Sequence, residues 1–213
     1  MSICVVAASM PQEDLYIPQG AYRIAADKGI LQFQSRGIEP DLVVGDFDSL
    51  GYVPQAREIV RHPVEKDDTD MMLAVREGLR RGWRDFLLYG GLGGRLDHTL
   101  ANIQTLAFLD LHGARGLLCG DGTAVTLLRD GALRFPASMS GTISVFCFGD
   151  AAGGVTERGL YYALENADIA NTFPIGVSNA FCGRESEVSV QKGKLLVLWQ
   201  STAQAACEVL LGE

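Results

Sequence analysis

No two cysteines in the 213-residue sequence form a C-x-x-C pair, and the five present (Cys4, Cys119, Cys147, Cys182 and Cys207) are odd in number and widely scattered. That distribution argues against a disulfide framework or a zinc site and fits reduced thiols in a cytoplasmic protein. Long apolar runs are missing too. None approaches the ~18 residues of a membrane span. The opening Met-Ser-Ile-Cys-Val-Val-Ala-Ala-Ser has no basic leader, so no signal peptide is expected. Positive charge is scarce: 18 Lys and Arg face 26 Asp and Glu, a formal net charge of −8. Broad electrostatic binding to nucleic acid or an anionic membrane needs the opposite sign. A small anion carried by a metal ion remains compatible with it. Hydrophobic residues make up 47% of the chain, enough to set disorder aside and to bury a substantial core.

The first part of the chain alternates short apolar runs with helical periods. Ile3–Ala8, Tyr22–Ala26, Leu42–Val44, Ile59–Val64, Phe86–Tyr89 and Leu117–Cys119 read as buried strands. Gly29–Arg36, Thr69–Arg81 and His98–Leu111 read as helices. The second has an apolar stripe at Met72, Val75 and Leu79, Asp68 or Thr69 as its cap, and Gly82 as its stop. Strands alternating with helices predict a mainly parallel sheet covered on both faces. After residue 121 the rhythm changes. Val125–Leu128, Leu133–Phe135, Thr142–Phe148, Leu160–Ala163, Glu187–Val190 and Leu195–Trp199 read as strands. Turn signals at Asp130-Gly131, Gly153-Gly154 and Lys192-Gly193 separate them, and no long helical period is visible. The expectation is an α/β domain over 1–121 and an all-β sandwich over 122–213.

Acidic residues recur where this pattern puts loops. Asp27 follows the second strand. Asp46 and Asp48 follow the third, in Gly45-Asp46-Phe47-Asp48-Ser49. Asp67, Asp68 and Asp70 precede the long helix, and Asp97 follows the glycine turn Gly90–Gly94. If the strands are parallel, all four spots fall at the carboxyl edge, where open α/β sheets bind ligands. Converging carboxylates repel each other and call for a cation. Hard oxygen donors suit Mg²⁺, which takes one or two carboxylates plus water and phosphate oxygens. Arg95 offers a planar fork for phosphate, Lys66 a point charge, and the glycines a close backbone approach.

Each feature has a plainer explanation when taken singly. Asp-x-Asp is common in polar turns, and Asp68, Thr69 and Asp70 suit capping and the helix dipole. Gly90–Gly94 fits neither the P-loop pattern nor G-x-G-x-x-G. His62, His98 and His112 look like ordinary loop or helix-end residues, and Cys119 like core. Their coincidence at one edge is what favours function. On the residues alone, two other readings stay open. One is a Mg²⁺-dependent phosphohydrolase with Asp46 as nucleophile. The other is a non-catalytic module that binds a nucleotide or another small ligand.

The blocks Pro40-Asp41-Leu42-Val43-Val44-Gly45-Asp46-Phe47-Asp48-Ser49, Lys66-Asp67-Asp68-Thr69-Asp70 and Gly93-Gly94-Arg95-Leu96-Asp97-His98 resemble, in order and spacing, the three signature blocks of the thiamine pyrophosphokinase family. Ala26-Asp27-Lys28-Gly29 is similar to its upstream Asp-Gly-Gly block, with Lys28 as a departure. Gly176-Val177-Ser178-Asn179 resembles its late Ser-Asn segment. The resemblance implies a homodimer and transfer of pyrophosphate from ATP to the thiamine hydroxyl with release of AMP. It implies Mg²⁺ on Asp46, Asp48 and Asp70. Asp27, Lys66, Thr69 and Arg95 would lie on the ATP side, and Asp97 would meet or orient the thiamine pyrimidine. Ser178 and Phe181 would line a thiamine pocket at the subunit interface, with Phe181 as a stacking ring. Asp97 is the first candidate for a general base.

Overall fold

The computed structural model describes residues 3–63 and 68–212. The chain divides into two compact units, Met1–Asp121 and Gly122–Glu213. All five cysteines are free thiols.

The first unit is a parallel sheet with helices. Its strands are β1 (Ile3–Ala7), β2 (Tyr22–Ala26), β3 (Leu42–Gly45), β4 (Ile59–Arg61), β5 (Asp85–Tyr89) and β6 (Arg115–Gly120). They lie in the order β6-β5-β1-β2-β3-β4, and every neighbouring pair is parallel. All five residues of β1 are buried, as is the whole of β3. This is why these strands read as unbroken apolar runs rather than as alternations. The chain first builds outward from β1 to β4, then crosses to the other side of β1 to lay down β5 and β6. The crevice of such a sheet lies where that reversal occurs, beyond the carboxyl ends of β1 and β5.

The helices of this unit are α1 (Ile30–Gln34), α2 (Asp70–Arg80) and α3 (Leu96–Leu111). The expected helix over 29–36 is shorter than its pattern. Asp27–Gly29 forms a 3-10 turn, α1 has five residues, and Gly37 ends the segment at φ +66°. Strand β4 also stops early, at Arg61. In α2 the buried stripe is Met71, Ala74, Val75 and Gly78, with Met72 and Leu79 only half-buried. Gly78 fits that face because Phe86 of β5 lies against it. A Cβ on Gly78 would come 2.5 Å from the Phe86 ring.

The second unit is built of antiparallel strands: β7 (Thr123–Arg129), β8 (Ala132–Phe135), β9 (Thr142–Cys147), β10 (Ala151–Arg158), β11 (Leu164–Ala170), β12 (Gly176–Ala180), β13 (Ser186–Ser189) and β14 (Lys194–Gln200). One group runs β12-β9-β14-β7 and the other β11-β10-β13-β8. Aromatic rings join the two groups: Phe135 of β8 meets Trp199 of β14 edge-on at 5.5 Å. Three sequence expectations fail here. Gly153-Gly154 is not a turn but lies inside β10, where the register against β11 shifts between Ala152 and Val155. Leu160–Ala163 is not a strand; only Leu160 makes an isolated bridge, to Phe181. A helix, α4 (Ala203–Leu211), closes the chain, capped by the Thr202 hydroxyl oxygen, which accepts from the Ala205 N–H at 3.3 Å. No helix among the described residues is long and apolar enough to cross a membrane.

Candidate active site at the carboxyl edge of the parallel sheet

Because β1 to β6 are parallel, the segments that follow their carboxyl ends share one edge. Asp27 follows β2, Asp46 and Asp48 follow β3, Asp68–Asp70 follow β4, and Gly90–Asp97 follow β5. Lys66 and Asp67 fall outside the described residues.

Asp27 is 3% exposed, with a left-handed backbone at φ +46°. The hydroxyl of Ser49 donates to its Oδ2, while its Oδ1, also buried, meets no donor among the described residues. Two glycines let the backbone close around it. A Cβ on Gly29 would sit 1.8 Å from the Ala7 carbonyl oxygen, and one on Gly45 would sit 3.2 Å from the Asp27 Cα. Asp27, expected on the ATP side, is thus buried and held by the loop after β3.

The loop after β3 is anchored by Phe47, which is 3% exposed and left-handed at φ +64°. Its flanking aspartates stay accessible. The Asp48 N–H donates to Asp46 Oδ1 at 3.1 Å. The Asp48 carboxyl is raised above the usual carboxylate range, first by its hydrogen bond with Asp46, then by partial desolvation and by the charges of Asp46 and Asp27. Two carboxyls in that relation hold a proton between them or a cation. Their hard oxygens fit Mg²⁺. Asp70 does not complete a preassembled triad: among the described residues no three His, Cys, Asp or Glu side chains gather at ligand spacing.

At the start of α2, the Thr69 hydroxyl oxygen accepts from the Met72 N–H at 3.2 Å, and Asp70 occupies the first helical turn. Asp68 pairs with Arg76 at 3.4 Å. Capping thus accounts for part of this block.

After β5, Gly90, Gly93 and Gly94 all have positive φ. A Cβ on Gly90 would lie 2.7 Å from the Ala8 carbonyl oxygen, so the turn rests directly on the exit of β1. Asn102 of α3 donates from Nδ2 to the Gly91 carbonyl at 2.9 Å and ties the turn to the helix. Arg95 is exposed, but its guanidinium is engaged by a neighbouring carboxylate. Its Nε and Nη2 donate to the two Asp97 oxygens at 3.1 and 2.5 Å. Asp97 also accepts from the His98 N–H at 3.0 Å. The Arg95 guanidinium and that N–H hold the Asp97 carboxyl below the usual range. The two side chains are 72% and 62% exposed, and a solvent-screened pair of this kind contributes little to stability.

Some supporting residues carry little sequence signal. Gln32, buried in α1, donates from Nε2 to the Ala8 and Met10 carbonyls at 2.5 and 2.8 Å and accepts from the Gln12 N–H at 3.1 Å. It thereby shapes the exit of β1 beside the glycine turn. The sequence shows two amides in this apolar segment, Gln32 and Gln34, and does not single out Gln32 as the buried one.

In the second unit, Ser178 is exposed and left-handed at φ +61°, and its N–H donates to Ser144 Oγ at 3.1 Å. Phe181 corrects the expectation of an open stacking ring. It is 9% exposed and packs 5.2 Å from Phe135 in the core.

Two family models match the chain. One, described as thiamin pyrophosphokinase, catalytic domain, covers residues 14–115; the other, thiamin pyrophosphokinase, vitamin B1 binding domain, covers residues 132–195. Thiamine pyrophosphokinase from Bacillus subtilis (strain 168) is 27% identical over 190 residues, covering 86% of this chain and 89% of that one. Thiamin pyrophosphokinase 1 from Caenorhabditis elegans is 27% identical over 201 residues, covering 84% and 81%. The crystal structure of the Bacillus subtilis thiamine pyrophosphokinase superposes with a TM-score of 0.83 at 25% identity, over 94% of this chain and 99% of that chain. Signature loops at the carboxyl edge, two matched domain models and a shared fold place the chain in the thiamin pyrophosphokinase family, an enzyme of the transferase class.

Proposed function

We propose that the enzyme transfers the pyrophosphate group of ATP to the hydroxyl of thiamine, giving thiamine diphosphate and AMP, with Mg²⁺ as its metal. The observation that carries this reading is the Asp46–Asp48 pair, poised for a cation at the same edge as the Gly90–Gly94 turn. Residues 1–121 would hold the nucleotide and the reacting groups, and 122–213 thiamine and a second subunit.

In the reaction, the thiamine oxygen bonds to the β-phosphorus, and the bond from that phosphorus to the α,β-bridging oxygen breaks. AMP leaves with the bridging oxygen, and the hydroxyl proton passes to a base or to water. Most of the acceleration in such transfers comes from positioning and charge neutralisation. Asp46 and Asp48 would hold Mg²⁺, joined by Asp70 from the start of α2. The bound ion would neutralise polyphosphate charge and polarise the β-phosphoryl group. Arg95, released from Asp97, would contact phosphate oxygens, with Thr69 and Lys66 on the nucleotide side. Asp97, freed when Arg95 turns to phosphate, would be left as a carboxylate that orients the cationic acceptor.

Exposed Tyr161, Tyr162, Phe173, Ile175 and Val177 support self-association of the second unit as a homodimer, with Ser178 at the thiamine site. Five free thiols support a cytoplasmic setting. The test is label transfer: with ATP labelled at the β-phosphorus, thiamine and Mg²⁺, the label should appear in thiamine diphosphate. Label remaining in ADP or appearing in inorganic phosphate would contradict the reading.

A further inference from the structure

The second unit buries one acid that the proposed chemistry leaves unused. Glu157, on β10, is 2% exposed. Its Oε2 accepts from Asn179 Nδ2 at 2.8 Å. A buried carboxylate on a strand costs stability compared with an apolar residue unless its hydrogen bonds do something the fold needs. Burial pushes this carboxyl above the usual glutamate range, and the Asn179 N–H opposes the shift.

Asn179 shows what that hydrogen bond secures. The same Nδ2 donates to the Tyr162 carbonyl at 2.7 Å, and Oδ1 accepts from the Tyr162 and Ala180 N–H groups, both at 2.9 Å. One amide therefore fixes both backbone groups of Tyr162 and the chain just after itself. Its orientation matters, because exchanging Oδ1 and Nδ2 would set donor against donor and acceptor against acceptor at every contact. Glu157 and the Tyr162 carbonyl both accept from Nδ2, and Glu157 is the one partner that reaches the amide with a side chain, tying it to β10. Immediately before Asn179, Ser178 is held left-handed at φ +61°, and β12 slips register against β9 between Gly176 and Asn179. A non-glycine residue in that region is strained and persists only where its surroundings over-determine it.

We propose that Glu157 is a positioning residue for the acceptor site: by anchoring the Asn179 amide to β10 it holds the 161–162 segment and the Ser178 backbone in the geometry that binds the cationic acceptor. This deepens the thiamine reading and rests on the placement of Ser178 at that site. Glu157 touches no substrate itself. Its influence passes through Asn179, so it should alter thiamine affinity and leave ATP alone.

The test compares Glu157→Met, similar in length and unable to accept as a carboxylate does, with Glu157→Gln, whose amide oxygen still accepts from Asn179. Thiamine binding is measured by calorimetry on the full chain, and KM for thiamine and for ATP by AMP release. Glu157→Met should weaken thiamine binding about tenfold and raise thiamine KM in parallel, with ATP KM within twofold of wild type. Glu157→Gln should restore both to within about threefold. If Glu157→Met does not fold, Glu157→Asp withdraws the oxygens by one methylene and should show the same selective loss. Equal losses for both substrates, or unchanged thiamine affinity in a folded variant, overturn the proposal while the thiamine reading stands. Wild-type protein that binds no thiamine overturns both.

Discussion

The hydroxyl of Ser49 donates to the buried carboxylate of Asp27, which ties the loop after β3 to the loop after β2. The loop it holds is the one that carries Asp46 and Asp48. Replacing Ser49 by Ala would leave a carboxylate that is 3% exposed without the donor to Oδ2. Loss of a buried partner costs about 1–3 kcal/mol. Urea denaturation of Ser49→Ala should show a stability loss in that range; an unchanged midpoint would mean the contact is not made in solution.

Asp46→Asn and Asp48→Asn should each abolish AMP formation while leaving the fold intact. Removing one carboxylate relieves the repulsion that raises Asp48, so thermal stability should hold or rise. Turnover at the wild-type rate in either variant contradicts the metal assignment. A fall in Tm large enough to explain the lost activity contradicts the placement of the pair as an accessible site.

Asp97→Ala should raise thiamine KM by at least about tenfold and change ATP KM much less, because it removes the group assigned to the cationic acceptor while releasing Arg95 for phosphate. Steady-state kinetics with each substrate varied decides the matter. An effect confined to ATP would reassign Asp97 to the nucleotide.

Gly78→Ala sets two effects against each other. Alanine favours a helix over glycine by about 1 kcal/mol, yet its Cβ would lie 2.5 Å from the ring of the fully buried Phe86. Overpacking a closed core costs about 1–3 kcal/mol. The net expectation is a lower Tm, measurable by calorimetry, and a gain in Tm would show that Phe86 has room to move.

Glu157 gives stability a pH dependence of known sign. Its carboxyl is raised in the folded chain, so the folded state binds the proton more tightly. The associated stability is fully present below the ordinary glutamate range and is lost as pH rises through the raised folded value. Glu157→Gln cannot titrate. The Tm of Glu157→Gln relative to wild type should therefore increase between pH 4 and pH 7.5 (about the span in which such a group loses its proton). A constant difference would contradict the buried setting.

Much of the first unit was legible because its chemistry is local. Strands such as Ile3–Ala7 and Leu42–Gly45 are buried on both faces and appear as plain apolar runs, and each is followed by its polar loop. Once the strands are parallel, the acidic loops must share an edge. Side-chain direction was not legible. The buried face of α2 follows Met71 rather than Met72, and Gly78 on that face is required by the Phe86 ring of another strand, a tertiary demand. Arg95 paired with its own neighbour Asp97, which spacing alone does not reveal.

The second unit was harder to read for definite reasons. β11, Leu-Glu-Asn-Ala-Asp-Ile-Ala, buries only Ile169, so no alternation marks it as a strand. Gly153-Gly154 looks like a turn and instead absorbs a register shift in β10. Phe181 follows the Ser-Asn segment in sequence, yet the Phe135 ring claims it for the core. Glu157 gave no sign of burial, since its partner Asn179 lies on another strand.

The most direct measurement of the central claim is AMP release by the purified enzyme with ATP and Mg²⁺, with and without thiamine. The expected result is AMP formed only when thiamine is present, in equal amount to thiamine diphosphate. AMP or inorganic phosphate released at the same rate without thiamine would contradict it.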